Sequence, residues 1–174
     1  MKRPAAESAV DMLKKVKIHL VSERCEMTGD LFEGTPLLPR SGAEWQKYEM
    51  SMEGRYHDDG IRVALSYEEG ELSGMEGSRV TISFQKNEPG VITMLRTGSV
   101  KTALIFEAGR NHQCVYQTQF APFDVCVHTD KVQNDLEREG TLYLDYAVEL
   151  KGADAERTKM TLTLLPVYNA PKGI

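Results

Sequence analysis

Residues 48–69 read YEMSMEGRYHDDGIRVALSYEE, and their alternation decides the fold class. Tyr48, Met50, Met52, Gly54 and Tyr56 fall on one face of an extended chain, with Glu49, Ser51, Glu53 and Arg55 on the other. Side chains that alternate in this way describe a strand with one wet side. The Asp59-Gly60 pair then favours a tight hairpin turn, because positive φ costs little there. Ile61, Val63, Leu65, Tyr67 and Glu69 return on the inner face of a second strand.

The same pattern extends outward in both directions. RVTISFQK presents Val80, Ile82 and Phe84, NEPG turns, and VITMLR runs back; TGS leads into VKTALIFE, and AGRN into HQCVYQT. TLYLDYAVEL aligns Leu142, Leu144, Tyr146, Val148 and Leu150, and TKMTLTLL aligns Met160, Leu162 and Leu164. With Val16, Ile18 and Leu20 of the opening KVKIHLVSE, about ten strands emerge, most joined by short polar turns that imply antiparallel neighbours. Two short helix candidates remain, residues 5–13 and the end of DKVQNDLERE. Strands with a single apolar face must stack or close on themselves, and closure removes exposed edges. The expectation is all-β: one domain over residues 1–174, an antiparallel up-and-down barrel of about 8–10 strands.

One connection is long. CEMTGDLFEGTPLLPRSGAEWQ, residues 25–46, reads either as a lid whose Leu31, Phe32, Leu37, Leu38 and Trp45 plug a barrel mouth, or as an insertion covering one end of the core.

Composition excludes several classes of function. At 174 residues, 41% hydrophobic and 27% charged, the chain has ordinary globular usage, so disorder and fibrous repeats are not indicated. A formal charge of −5, with no basic run beyond Lys14, Lys15 and Lys17, argues against nucleic acid and anionic membranes as partners. No apolar segment follows the basic start, and Cys25, Cys114 and Cys126 are too scattered for a disulfide framework. Both features suit a cytoplasmic protein.

His112, Cys114, Cys126 and His128 flank a turn almost symmetrically, which raises the question of a metal site. Facing all four would need paired residues summing to 240. The less polar faces are His112, Cys114, Tyr116 and Thr118 on one strand and Phe123, Val125, Val127 and Thr129 on the other. An even inner face meeting an odd one requires an odd sum, since a one-residue slip inverts a strand. Cys126 and His128 then look outward and no metal is expected.

The same parity places Tyr56, Tyr67, Glu69, Tyr116, Thr118, Thr129 and Tyr146 among core residues, joined by Arg96 if Ile92 and Met94 point inward. Buried polar groups need partners, and Arg96 with Glu69 is the expected pair. Such a set either fixes barrel closure or lines a cavity for a ligand with an acidic or carbonyl group. No G-x-S-x-G, zincin helix or phosphate-cradling loop is present, and GELSGMEG (70–77) reads as a turn.

The strand LSYEE, the hairpin MLRTGSV, IFEAGRNHQCVYQT, VHTDKVQNDL and GTLYLDYAVEL together resemble the YwiB-type bacterial proteins, lipocalin-shaped, calycin-like barrels classed as a domain of unknown function. The resemblance runs from about Lys15 to about Leu165 and implies weight at Tyr67, Glu69, Arg96, Gly98, Phe106, Gly109, Tyr116, Thr118, Thr129, Gly140 and Tyr146. The chain departs from it at Gln119 and Ala121, where the family tends to carry Pro and Gly. Calycin-like architecture suggests small-molecule binding, although a fold does not fix a function.

The leading expectation is therefore a non-catalytic binder of a small apolar or acidic ligand, with Arg96, Tyr116, Tyr67, Glu69, Tyr146, Thr118 and Thr129 as ligand-binding residues and no cofactor. The alternative is a structural or interaction module with a packed barrel, able to form a homodimer. An enzyme using the interior Arg, Tyr and Glu residues comes third.

Overall fold

A computed structural model of the chain describes residues 12–69, 77–152 and 154–166. In chain order the elements are β1 (Met12–Asp30), β2 (Thr35–Pro39), β3 (Gln46–Asp58), β4 (Arg62–Glu68), β5 (Arg79–Gln85), β6 (Val91–Thr97), β7 (Thr102–Glu107), β8 (Asn111–Gln117), β9 (Pro122–Asp135), α1 (Leu136–Glu139), β10 (Thr141–Leu150) and β11 (Ala155–Pro166). Ten strands follow one antiparallel path, β7-β6-β5-β4-β3-β1-β11-β10-β9-β8, and β2 pairs with β1 off that path.

The two ends of the path are consecutive in sequence, and they meet. Lys101 and Gln117 exchange both backbone hydrogen bonds, at 2.9 and 2.8 Å, and the Gly109 N–H donates to the Thr129 carbonyl at 2.8 Å. Between those points side chains span the seam, His112 Nε2 lying 3.2 Å from Glu107 Oε2. The result is a nearly closed up-and-down barrel, as the alternation predicts.

Its interior is one apolar core. Ile18, Leu65, Ile82, Ile92, Phe106, Val127, Leu142, Leu144 and Leu162 are all at most 1% exposed, each contributing about 1.5–3 kcal/mol by leaving water. The bottom of the barrel is stoppered by α1, the one helical turn among the described residues and the place where the second helix candidate lies. Leu136 is 4% exposed within the core. The turn stops at Gly140, whose φ of 71° is left-handed, a conformation glycine adopts without steric cost. Lys86 ties this floor to the wall, its Nζ lying 2.7 Å from Asp58 and 3.1 Å from Glu137.

The structure corrects several details. Ile61 is not on an inner face: it sits in the hairpin turn, 69% exposed, where the Asp59 carboxylate accepts N–H bonds from Ile61 and Arg62. Leu13 belongs to β1 rather than a helix, while residues 5–11 and most of GELSGMEG lie outside the described residues.

The 25–46 segment departs most from expectation. β1 continues through it to Asp30, and β2 returns alongside with Met27 opposite Pro39 and Thr28 opposite Leu38. Residues 31–37 cover the outside of the wall rather than plugging a mouth. Cys25, Met27 and Ala155 form a second small core there, with Leu37 and Ala43 against it. Leu38 and Trp45, read as plug residues, are 65% and 43% exposed.

Candidate binding site at the mouth of the barrel

The end opposite α1 collects the polar inner-face side chains. Tyr67 comes from β4, Glu69 from the residues just after it, Arg96 from β6, Tyr116 from β8 and Tyr146 from β10. Register explains the convergence: Arg96 lies opposite Val80 and Thr102, and Val80 lies opposite Tyr67.

Arg96 and Glu69 form the expected pair. Nε donates to Oε2 at 3.1 Å and Nη2 to Oε1 at 2.9 Å, a two-pronged geometry that matches the planes of both groups. The side chains are only 16% and 9% exposed. The Glu69 backbone N–H is anchored on Ser78 O at 2.8 Å. Burial pulls the Arg96 guanidinium down, but the hydrogen bond and charge of Glu69 outweigh it and hold Arg96 above its usual value.

The phenols around this pair are shifted in one direction. Burial, then the Glu69 charge, drives Tyr67 well above the ordinary tyrosine value. Burial also raises Tyr146, against the opposing charges of Arg24 and Arg96 and a hydrogen bond with Thr158. Tyr116 is raised by burial as well. At neutral pH all three are protonated donors rather than bases. A general base works best near the operating pH, so this arrangement suits holding an oxygen acceptor more than moving a proton.

Arg24 is the residue that sequence reasoning missed. It follows Val16, Ile18, Leu20 and Ser22 on the same face of β1, so the parity was visible, but the strand extends past the point where a loop was read. Its Nε donates to Ser22 Oγ at 3.1 Å, lies 4.0 Å from Glu156, and its guanidinium packs 5.0 Å over the Tyr48 ring. Burial holds the Glu156 carboxyl above its usual range, with Arg24 opposing. The charges of Arg24 and Arg96 both oppose the upward shifts of Tyr67 and Tyr146.

Of the remaining sequence-predicted residues, Thr129 lies beside the cluster and Thr118 lies apart from it. Thr129, opposite Tyr146 in the β9–β10 ladder, is 0% exposed, and its hydroxyl has no hydrogen-bond partner among the described residues. Thr118 is not brought into the cluster. Its hydroxyl donates to Ala121 O at 2.9 Å and accepts the N–H groups of Phe120 and Ala121. That capping holds the 118–121 turn.

The His/Cys hairpin pairs Cys114 with Val125 and Asn111 with His128, an odd register. Cys126 points away from the barrel interior yet is buried there at 1% exposure, and Cys114 is half-buried on the inner side. Burial raises both thiols. Among the described residues, no three His, Cys, Asp or Glu side chains gather as metal ligands.

Comparison with known proteins agrees with this architecture. The ywiB protein from Bacillus subtilis, known from a crystal structure, superposes with a TM-score of 0.60 over 88% of this chain and 96% of its own, at 18% identity. That likeness concerns the fold alone. No curated protein matches the chain. A family model described as a domain of unknown function, DUF1934, matches residues 39–162, well over half of the chain, and this span includes Tyr67, Glu69, Arg96, Tyr116 and Tyr146. The chain therefore belongs to the DUF1934 family, with a YwiB-like barrel fold.

Proposed function

We propose that this protein is a non-catalytic binder of a small molecule carrying a carboxylate or carbonyl group, held at the mouth of the barrel by Arg24, Arg96, Tyr67, Tyr116 and Tyr146. The observation that carries the reading is the asymmetry of the barrel: Leu136 closes one end, while Arg96, Glu69 and three protonated phenols converge at the other. A pair that only closed the sheet would not need a second arginine whose charge reaches the same phenols. Pre-organised donors with little rotamer freedom bind without a large ordering cost. Glu69 serves as the positioning group that fixes the Arg96 fork.

Three free cysteines support a reducing, cytoplasmic setting, and no helix among the described residues is long and apolar enough to cross a membrane. A second reading, an interaction module or homodimer, draws on exposed apolar side chains on one side of the barrel: Leu95, Val115 and Phe120 are 42%, 45% and 88% exposed.

The test is thermal-shift screening with small aliphatic and aromatic carboxylates against their primary amides and alcohols. Acids or carbonyl compounds that stabilise the wild type but not Arg24→Ala or Tyr116→Phe support the proposal. Stabilisation by none, with a dimer seen by size-exclusion chromatography and light scattering, would favour the interaction module instead.

A further inference from the structure

A sizeable cavity lies away from the mouth. It lies outside the barrel wall, under the β1–β2 hairpin, and measures about 630 Å3, a size that suits a small organic ligand. Its roof is fixed in place: the Leu31 N–H donates to the buried Glu149 Oε2 at 2.9 Å, and Lys151 Nζ packs 5.6 Å over the Phe32 ring.

The lining of the cavity is mixed. Met27, Leu31 and Leu37 supply apolar surface, while Arg110, Asn111, His128, Asp130 and Arg157 supply polar groups, with Ala147 lying between His128 and Arg157 in the sheet. Most of the polar groups are already committed. Arg157 donates to both Asp145 oxygens at 2.9 and 2.8 Å. His128 is held by both ring nitrogens, on Asn111 Oδ1 and, at 3.4 Å, on Asp130. Arg110 is the exception. Its backbone is locked by bonds to Glu107 O and from Thr129 N–H, at 3.0 and 3.3 Å, while its guanidinium has no partner among the described residues. A fixed backbone carrying an unpaired guanidinium, in a cavity that also offers apolar surface, is a ready receptor for one anionic head with an apolar body.

We infer that the cavity beneath the β1–β2 hairpin is a second binding site, separate from the mouth, for a small amphiphilic monocarboxylate: the carboxylate pairs with Arg110 and the apolar body lies against Met27, Leu31 and Leu37. Asp130, among the same polar groups, disfavours ligands of higher negative charge.

The probe is octanoate, titrated calorimetrically into the full chain, with octanol as the uncharged control. Arg110→Ala removes an exposed side chain whose backbone bonds remain, so the fold is retained, as circular dichroism will verify. The expected result is that octanoate binds the wild type and that Arg110→Ala weakens it by about 10- to 100-fold, the worth of a charge-assisted pair. Arg110→Lys should retain part of the affinity, octanol should bind the wild type and Arg110→Ala alike, and in an Arg24→Ala background, which removes carboxylate binding at the mouth, Arg110→Ala should weaken octanoate by the same factor. Absence of octanoate binding to the wild type up to millimolar concentration overturns the inference, as does equal binding by Arg110→Ala. A loss on Arg24→Ala but not on Arg110→Ala also overturns it and moves the ligand to the mouth.

Discussion

Replacing Arg96 with methionine removes one half of a nearly buried ion pair and leaves the other. With charge centres about 4 Å apart and an effective dielectric near 20, the pair attracts by about 4 kcal/mol. That attraction offsets the cost of taking both groups out of water. Once Arg96 is gone, Glu69, 9% exposed, keeps its desolvation cost without a counter-charge. The expected loss is about 3–5 kcal/mol, a large share of the roughly 5–15 kcal/mol of a typical domain. Adding Glu69→Leu removes the stranded carboxylate as well, so the double variant should return to within about 1 kcal/mol of wild type or exceed it. Urea denaturation at pH 7 followed by circular dichroism measures both. A single variant costing under about 1 kcal/mol, or a double variant no better than the single, would refute the view that the pair is buried, coupled and balanced.

Other outcomes follow from the same geometry. Gly54 faces the core, where an added Cβ would overlap Ile18 Cδ1 and lie 2.7 Å from Ser66 O. Gly54→Ala should therefore cost about 1–3 kcal/mol by overpacking, partly recovered with Ile18→Val; a neutral Gly54→Ala contradicts the close approach of β3 to β1. Leu136→Ala should cost about 2–5 kcal/mol by opening a cavity at the floor of the barrel, read from the shift in urea midpoint, and a cost under about 1 kcal/mol would mean that α1 is not a stopper. Tyr67, Tyr116 and Tyr146 hold their protons above the usual value of 10.0 in the folded state. Their contribution to stability is thus fully present below about pH 10 and is lost as pH rises from there through the folded values. Phenolate absorbance should rise later in the native than in the urea-unfolded protein, and coincident curves would contradict their burial.

Much of this architecture is legible in the residues because one face of each strand is wet. Parity alone gives the odd register of the Cys114–Val125 hairpin and brings Arg96 to Glu69 across 27 residues. It fails where both faces are covered. After Ser22 the buried positions of β1 shift from even to odd, at Cys25 and Met27, since β2 and its turn cover the outer face there. Alternation cannot report which side a cover sits on, so the segment reads equally well as a lid. Arg24 was lost to the same ambiguity, although its parity with Ser22 was a usable signal. Thr118 shows a different limit: side-chain-to-backbone capping of a turn has no periodic signature and outcompetes an inward role. The cavity under the β1–β2 hairpin joins residues from β1, β2, β8, β9, β10 and β11 with the connections before β2 and β8. It arises from tertiary packing alone, so no single stretch of sequence announces it.

The central claim, that the mouth of the barrel holds a small molecule, is tested most directly by native mass spectrometry of gently purified protein, followed by denaturation and identification of what is released. The account predicts a stoichiometric added mass in the native wild type, absent after denaturation and absent from native Arg24→Ala, with the released compound bearing a carboxylate or carbonyl group. Native and denatured wild-type masses that agree, and that still agree after incubation with millimolar small carboxylates, would contradict it.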